Sequence, residues 1–346
     1  MNRRTFLQTS AIAATTAAAG IGTSSIARAD DENRWKETID KGLKFLASEQ
    51  GRSGSWAHRT YITAVSALAG TALICSGSTT TQGPYAKEIR NCVDFLISKT
   101  RRTGLIGDPK RDNRYTYGHG FSMLFLSQVL GEEEDIDRRQ ELIEVLDAAV
   151  KFSVNAQTKA GGWGYVSAKE DDFDEGSTTI TQVQGLRGCR NAGLVVPKES
   201  IEKAKKYIYK CQNKDGGISY NSSSAMGASR PAITAAALAA LYNAGDYDSK
   251  YVPKMWKYAK QNLHSMTDEK MLFGHWHYTY LYYAQVVYRQ GPDTWEPFRN
   301  KICQRIAKQQ RRDGRWKETN VCDAYGTAIN LIILQMDYGY LPIYQR

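Results

Sequence analysis

No stretch of this 346-residue chain supplies the roughly 20 consecutive apolar residues that a membrane-spanning helix needs. The six cysteines, Cys75, Cys92, Cys189, Cys211, Cys303 and Cys322, include no C-x-x-C pair, so metal-ligand spacing is absent and buried free thiols are expected. Histidine is scarce at five residues, and the basic residues form no single stripe interleaved with aromatics. Lys203, Lys205 and Lys206, or Arg311 and Arg312, sit among acids as solvated helix faces do. Nucleic-acid binding is therefore not expected.

What is present begins with Asn2-Arg3-Arg4-Thr5-Phe6-Leu7, a small weakly apolar stretch from Ala11 to Gly22, and Ala27-Arg28-Ala29. This pattern predicts a twin-arginine signal peptide over 1–29, cleavage before Asp30, and export to a periplasmic or extracytoplasmic compartment. Removing 29 of 346 residues leaves 317, and losing Arg3, Arg4 and Arg28 lowers the formal charge from +10 by three to +7. A body of that length needs two domains or one repetitive core.

Internal repetition decides for the second. Lys41-Gly42-x-x-Phe45-Leu46-x-x-x-Gln50 leads into Gly54-x-Trp56, and the pattern returns as Phe152, Gln157 and Gly161-Gly162-Trp163. It returns again as Tyr207, Gln212 and Gly216-Gly217-Ile218, and as Ile306, Gln310 and Gly314-x-Trp316. Looser copies surround Phe95 with Gly104-Leu105 and Tyr258 with Gln261, which makes six. Each copy has room for two helices. The first is amphipathic, with a stripe such as Ile89, Cys92, Val93 and Leu96. The second is apolar nearly all round and rich in small residues, as from Thr60 to Ile74, Phe121 to Leu130, Pro231 to Tyr242 and Tyr325 to Leu334. Outer amphipathic helices around inner small-residue helices satisfy both patterns, so the predicted fold is all-α, an (α/α)6 toroid filling 30–346 as one domain. Gln50, Gln157 and Gln310 are expected to bond helix-end backbone groups, with Trp56, Trp163 and Trp316 packed over the junctions.

That Gln-and-Trp pattern resembles the QW motif of squalene-hopene and other class II terpenoid cyclases. Tyr117-Gly118-His119-Gly120-Phe121, Gly161-Gly162-Trp163-Gly164-Tyr165, Arg230-Pro231-Ala232 and Tyr340 to Arg346 look like exported bacterial prenyltransferase/squalene-oxidase repeat proteins of unassigned activity. Two departures limit the likeness. Class II cyclases use two rings with the cavity between them, whereas this chain has residues for one. Prenyltransferase β subunits work with a partner subunit and hold zinc through an Asp-x-Cys pair and a His, and no Asp-x-Cys occurs here; Cys322-Asp323 has the wrong order. Neither a metal nor another cofactor is expected, and a partner subunit is left open.

In such a ring all inner helices point one way, so their N-termini gather at one mouth. The residues just upstream are His58, His119, Asp171, Asp172, Asp174, Glu175, Ser229, Arg230, His275, His277 and Asp323. Asp172-Phe173-Asp174-Glu175 resembles the D-x-D-D motif of class II cyclases, which implies Asp174 as the proton donor supported by Asp172 and Glu175. The same acids also read as solvated loop residues or helix caps, with Ser177 or Thr178 as the cap. His275-Trp276-His277-Tyr278 is a second cluster; two histidines at i and i+2 share no helical face, so metal binding there is not expected. The 21 tyrosines suit an aromatic-lined cavity, for an isoprenoid or for a sugar ring. The leading expectation is a toroid that binds, and can transform, an isoprenoid or other small apolar ligand. An (α/α)6 polysaccharide hydrolase or lyase, and a non-catalytic binding or scaffold protein, stand as alternatives.

Overall fold

The computed structural model describes residues 34–56, 61–223, 227–266, 275–341 and 343. The N-terminal segment 1–29 and His58 lie outside the described residues. Twelve α-helices are present among them. The odd-numbered ones are α1 (Lys36–Glu49), α3 (Ala86–Ser98), α5 (Ile136–Asn155), α7 (Lys198–Lys210), α9 (Val252–Leu263) and α11 (Pro292–Gln309). The even-numbered ones are α2 (Ile62–Ile74), α4 (Tyr115–Leu130), α6 (Gly176–Asn191), α8 (Pro231–Asn243), α10 (Trp276–Tyr288) and α12 (Asp323–Leu334). Each even helix packs on the next, and α12 packs back on α2. The chain therefore closes a double-walled (α/α)6 ring. From Thr63 to Ile74 every residue of α2 is buried, as an inner helix covered on both sides requires, whereas α3 buries one face through Ile89, Cys92, Val93, Phe95 and Leu96. All six cysteines are free thiols, five of them buried.

The repeated Gln and Trp stitch neighbouring units together. Gln50, Gln157, Gln212 and Gln310 each donate from Nε2 twice. One bond goes to the loop carbonyl four residues on: Gly54, Gly161, Gly216 or Gly314. The other goes to the start of the following outer helix: Glu88, Ser200 and Tyr251, and for Gln310 back to Thr38 in α1. The sequence pattern anticipates a brace at helix ends, and the observed brace joins one repeat to the next. The indole N–H groups of Trp56, Trp163 and Trp316 donate to Leu46, Ser153 and Ile306 carbonyls at 2.7–2.8 Å, so each large ring is buried with its polar atom satisfied.

Glycine is obligatory at these junctions. Gly314 has φ +93°, and a Cβ there would lie 2.2 Å from the Lys41 carbonyl oxygen. Gly54 repeats this with φ +84° against the Asn91 carbonyl oxygen at 2.1 Å. Within the inner wall, a Cβ at Gly120 would stand 2.6 Å from the Thr181 backbone, so α4 and α6 touch nearly backbone to backbone. Such close approach explains why small residues dominate the inner helices.

Candidate functional site

Because the inner helices run parallel around the ring, their positive ends converge. A cavity of about 600 Å³ opens there, the size of a site for a small molecule. Every inner helix contributes near its start: Tyr61, Arg114, Arg230 and His275 occupy the N-cap positions of α2, α4, α8 and α10, Ser177 is the second residue of α6, and Tyr325 lies in the first turn of α12. Six tyrosines line the wall, Tyr61, Tyr117, Tyr165, Tyr220, Tyr278 and Tyr325, with Ala64, Val65, Phe121, Pro231, Ala232, Ile233 and Val321 as the aliphatic and aromatic remainder. Among the described residues no Asp or Glu lines this cavity.

The acidic run divides on inspection. Asp172 accepts the Lys159 backbone N–H at 3.0 Å and stands 3.7 Å from the Lys159 ammonium, at the surface. Asp174 accepts from the Ser222 N–H at 2.8 Å and the Ser222 hydroxyl at 2.7 Å. It ties the loop before α6 to the loop before α8, and it is not among the cavity-lining residues. Glu175 is fully buried and is itself the N-cap of α6. Its carboxylate accepts from the Ser177 and Thr178 N–H groups at 3.0 and 2.7 Å. The Ser177 hydroxyl donates to it at 2.6 Å and the Tyr117 hydroxyl at 3.2 Å, and Tyr117 and Ser177 also bond each other. Burial pushes the Glu175 pKa up despite those donors. Both Tyr117 and Ser177 line the cavity, so Glu175 stands one side chain behind its wall.

The histidines separate in the same way. α4 begins at Tyr115, six residues earlier than the apolar pattern predicts, so His119 lies inside the helix instead of upstream of it. Its Nδ1 accepts the Ile106 N–H at 3.1 Å, which leaves the proton on Nε2 to donate to the Ala149 carbonyl at 3.1 Å. The hydroxyls of Ser66, Thr179, Thr234 and Thr327 accept the equivalent N–H of Trp56, Trp163, Ile218 and Trp316. His119 thus fills a structural position of the repeat, and burial lowers its pKa to about 4. His277 is partly buried, with Nδ1 2.5 Å from Glu318 Oε2. Glu318 also accepts the Asn320 N–H at 2.6 Å, so the pair holds the loop that brings Asn320 and Val321 to the cavity. Trp276 is buried against Tyr280 and the Arg305 guanidinium. Asp323 accepts the Glu318 N–H at 2.8 Å and pairs with Arg315 at 3.2 Å. Of the predicted mouth residues, Arg230, His275 and Tyr278 line the cavity. The His275 pKa is lowered by burial and by the charges of Arg230 and Arg114, against the opposing pull of Glu318.

Sequence reasoning missed Tyr61, Arg114, Tyr117, Tyr165, Tyr220 and Tyr325. A signal existed for two of them. Tyr165 and Tyr220 both fall two residues past the repeat position held by Trp163 and Ile218, so aligning the repeats on one another pairs them. Among the described residues no three of His, Cys, Asp and Glu come together as a metal site, and no helix is long and apolar enough to cross a membrane.

No family model matches the chain, and no curated protein does. Solved structures do match in shape. A variant of the type II terpene cyclase MstE from Scytonema, in complex with merosterolic acid A, superposes with a TM-score of 0.60 at 15% identity over 91% of this chain and 99% of that one. The GH76 α-1,6-mannanase of a Salegentibacter species gives 0.63 at 10% identity over 88% and 99%. A protein from Actinoplanes gives 0.58 at 13% identity over 90% and 99%. The chain has the (α/α)6 toroid fold, shared by proteins of unlike chemistry.

Proposed function

We propose that the cavity receives an elongated, largely apolar ligand of isoprenoid type, laid against the tyrosine faces. The observation that carries this is the wall itself: six tyrosines with Ala64, Val65, Phe121 and Ile233, and no carboxylate among the described lining residues. Tyrosine faces attract electron-poor groups and give a large apolar contact without many rotamers to freeze. Hydrolysis of a glycosidic bond by paired carboxylates lacks support at this wall, since that chemistry needs two acids facing the substrate. A scaffold role without a ligand is disfavoured by the open volume.

Any acid step in this reading is a relay, in which the Tyr117 or Ser177 hydroxyl gives its proton to the ligand and takes a replacement from protonated Glu175, the form that burial favours. Asp174 is held by Ser222, while Glu175 combines burial with contacts to two cavity hydroxyls. The test is extraction of the natively produced protein followed by mass spectrometry of what it carries, then incubation with squalene and geranylgeraniol. An isoprenoid recovered from wild type supports the reading; an extract holding only sugars overturns it. Turnover abolished by Glu175→Gln and retained by Asp174→Asn assigns the acid, and equal turnover by all three proteins removes both. We further propose that the repeats are of the QW type and that Arg3 and Arg4 direct export by the twin-arginine route. Replacing both arginines by lysine is expected to leave the protein inside the cell, as fractionation would reveal.

A further inference from the structure

We propose that Arg114 and Arg230 form an oxyanion clamp at the mouth, so that the apolar ligand ends in a carboxylate or phosphate. This rests on the apolar reading above and names the chemistry of the ligand's head. The Arg114 guanidinium lies over the Tyr165 ring at 4.4 Å, and that of Arg230 over the Tyr220 ring at 4.6 Å. The Tyr165 and Tyr220 hydroxyls bond each other. The four side chains make one Arg–Tyr–Tyr–Arg arch, rooted at the caps of α4 and α8 and spanning the start of α6 between them.

A guanidinium resting on a ring keeps its N–H bonds in its own plane, and that edge is the one carboxylate and phosphate oxygens grip in pairs. The surroundings add to the attraction. Six helix N-termini converge on the cavity, each worth roughly half a positive charge. Glu175, the acid nearest to Ser177, turns its oxygens to the N–H groups of its own helix.

The experiment is titration calorimetry of the intact protein with farnesyl monophosphate, farnesoic acid, farnesol and inorganic phosphate. The proteins are wild type, Arg114→Gln, Arg230→Gln and the double variant. Wild type is expected to bind one or both acid-headed ligands at least tenfold more tightly than farnesol, with the gap shrinking as salt rises. The phosphate and carboxylate arms tell the two heads apart. The double variant is expected to lose that preference and bind acid-headed ligands no more tightly than farnesol, while its circular dichroism spectrum and thermal melt match those of wild type. Farnesol binding as tightly as both acids in wild type overturns the clamp and leaves the apolar reading intact. Acid-headed ligands or inorganic phosphate binding in an arginine-dependent way without any farnesol binding keeps the clamp and overturns the apolar reading. Binding of none of the four overturns both.

Discussion

Gln310 and Thr38 are separated by 272 positions in the chain, and the Gln310 side-chain amide donates to the Thr38 carbonyl at 2.9 Å. The same bond links Gln50 to Glu88 and Gln157 to Ser200, so the seam that closes the ring is built like an internal junction. Gly314 sits on the same seam, above the Lys41 carbonyl.

Gly314→Ala is therefore expected to lower stability by at least about 3 kcal/mol, because left-handed backbone strain of about 1–2 kcal/mol adds to a backbone collision. Gly193→Ala is the control. That glycine has φ +94° with nothing within 4 Å of its missing Cβ, so only the strain is expected. Gln310→Ala, which removes two hydrogen bonds, is expected to cost about 2 kcal/mol. Urea unfolding of the three variants checks the order.

His119 gives stability a pH dependence of known sign. Its folded pKa of about 4 lies below the unfolded value near 6.5, so the unfolded chain takes up more protons between those limits. Its contribution is complete above about pH 6.5 and falls by about 3 kcal/mol as the pH drops toward 4. His119→Thr installs the residue type that does the same work at Thr179, Thr234 and Thr327. The variant is expected to lose about 2 kcal/mol at pH 8, from the lost packing and the unpaired Ala149 carbonyl. Its stability curve between pH 6.5 and 4 is expected to be flatter than that of wild type, as urea titrations across that range would measure.

Asp112 works in the opposite direction. It is buried, accepts the Arg114 N–H at 2.9 Å, and burial raises its pKa to about 6. The folded state therefore binds more protons between pH 4 and 6, and stability is lost as the pH rises through that window. Asp112→Asn keeps the acceptor oxygen without the charge. It is expected to be more stable than wild type above pH 6, by up to about 2 kcal/mol after screening, and equal to it near pH 4. Thermal melts at the two pH values test this.

Glu318 joins His277 to the loop carrying Asn320 and Val321. Glu318→Ala is expected to cost about 1–3 kcal/mol and to speed amide hydrogen exchange at Asn320 and Val321 while leaving the Trp163 junction unchanged. Equal acceleration at both places would show a general loss of stability instead of a freed loop.

The ring was legible from the sequence because it is written six times over: the stripe of α3 and the small residues of α2 each report burial directly. The mouth was legible as a place, since parallel inner helices gather their N-termini. Its membership was only half legible. Tyr115-Thr116-Tyr117-Gly118-His119-Gly120 reads as loop because glycine weakens helices, yet Gly118 and Gly120 are there to let α4 press against Thr63 and Thr181. That misreading put His119 at the opening and hid Arg114 and Tyr117. The acidic run was ambiguous for a different reason. Spacing along the chain shows which carboxylates are neighbours but not which of them the fold has already given a partner, and only the structure reveals Ser222 beside Asp174.

A hoop has no loose end from which to unravel. Open arrays of repeats can fray from either terminus while the middle survives, but here α12 grips α1 and α2, and every stave is held from both sides. Loss of order is then expected to be collective, and the bore of the opening is fixed by six units at once, so a guest that is too wide cannot be accommodated by shifting one of them alone.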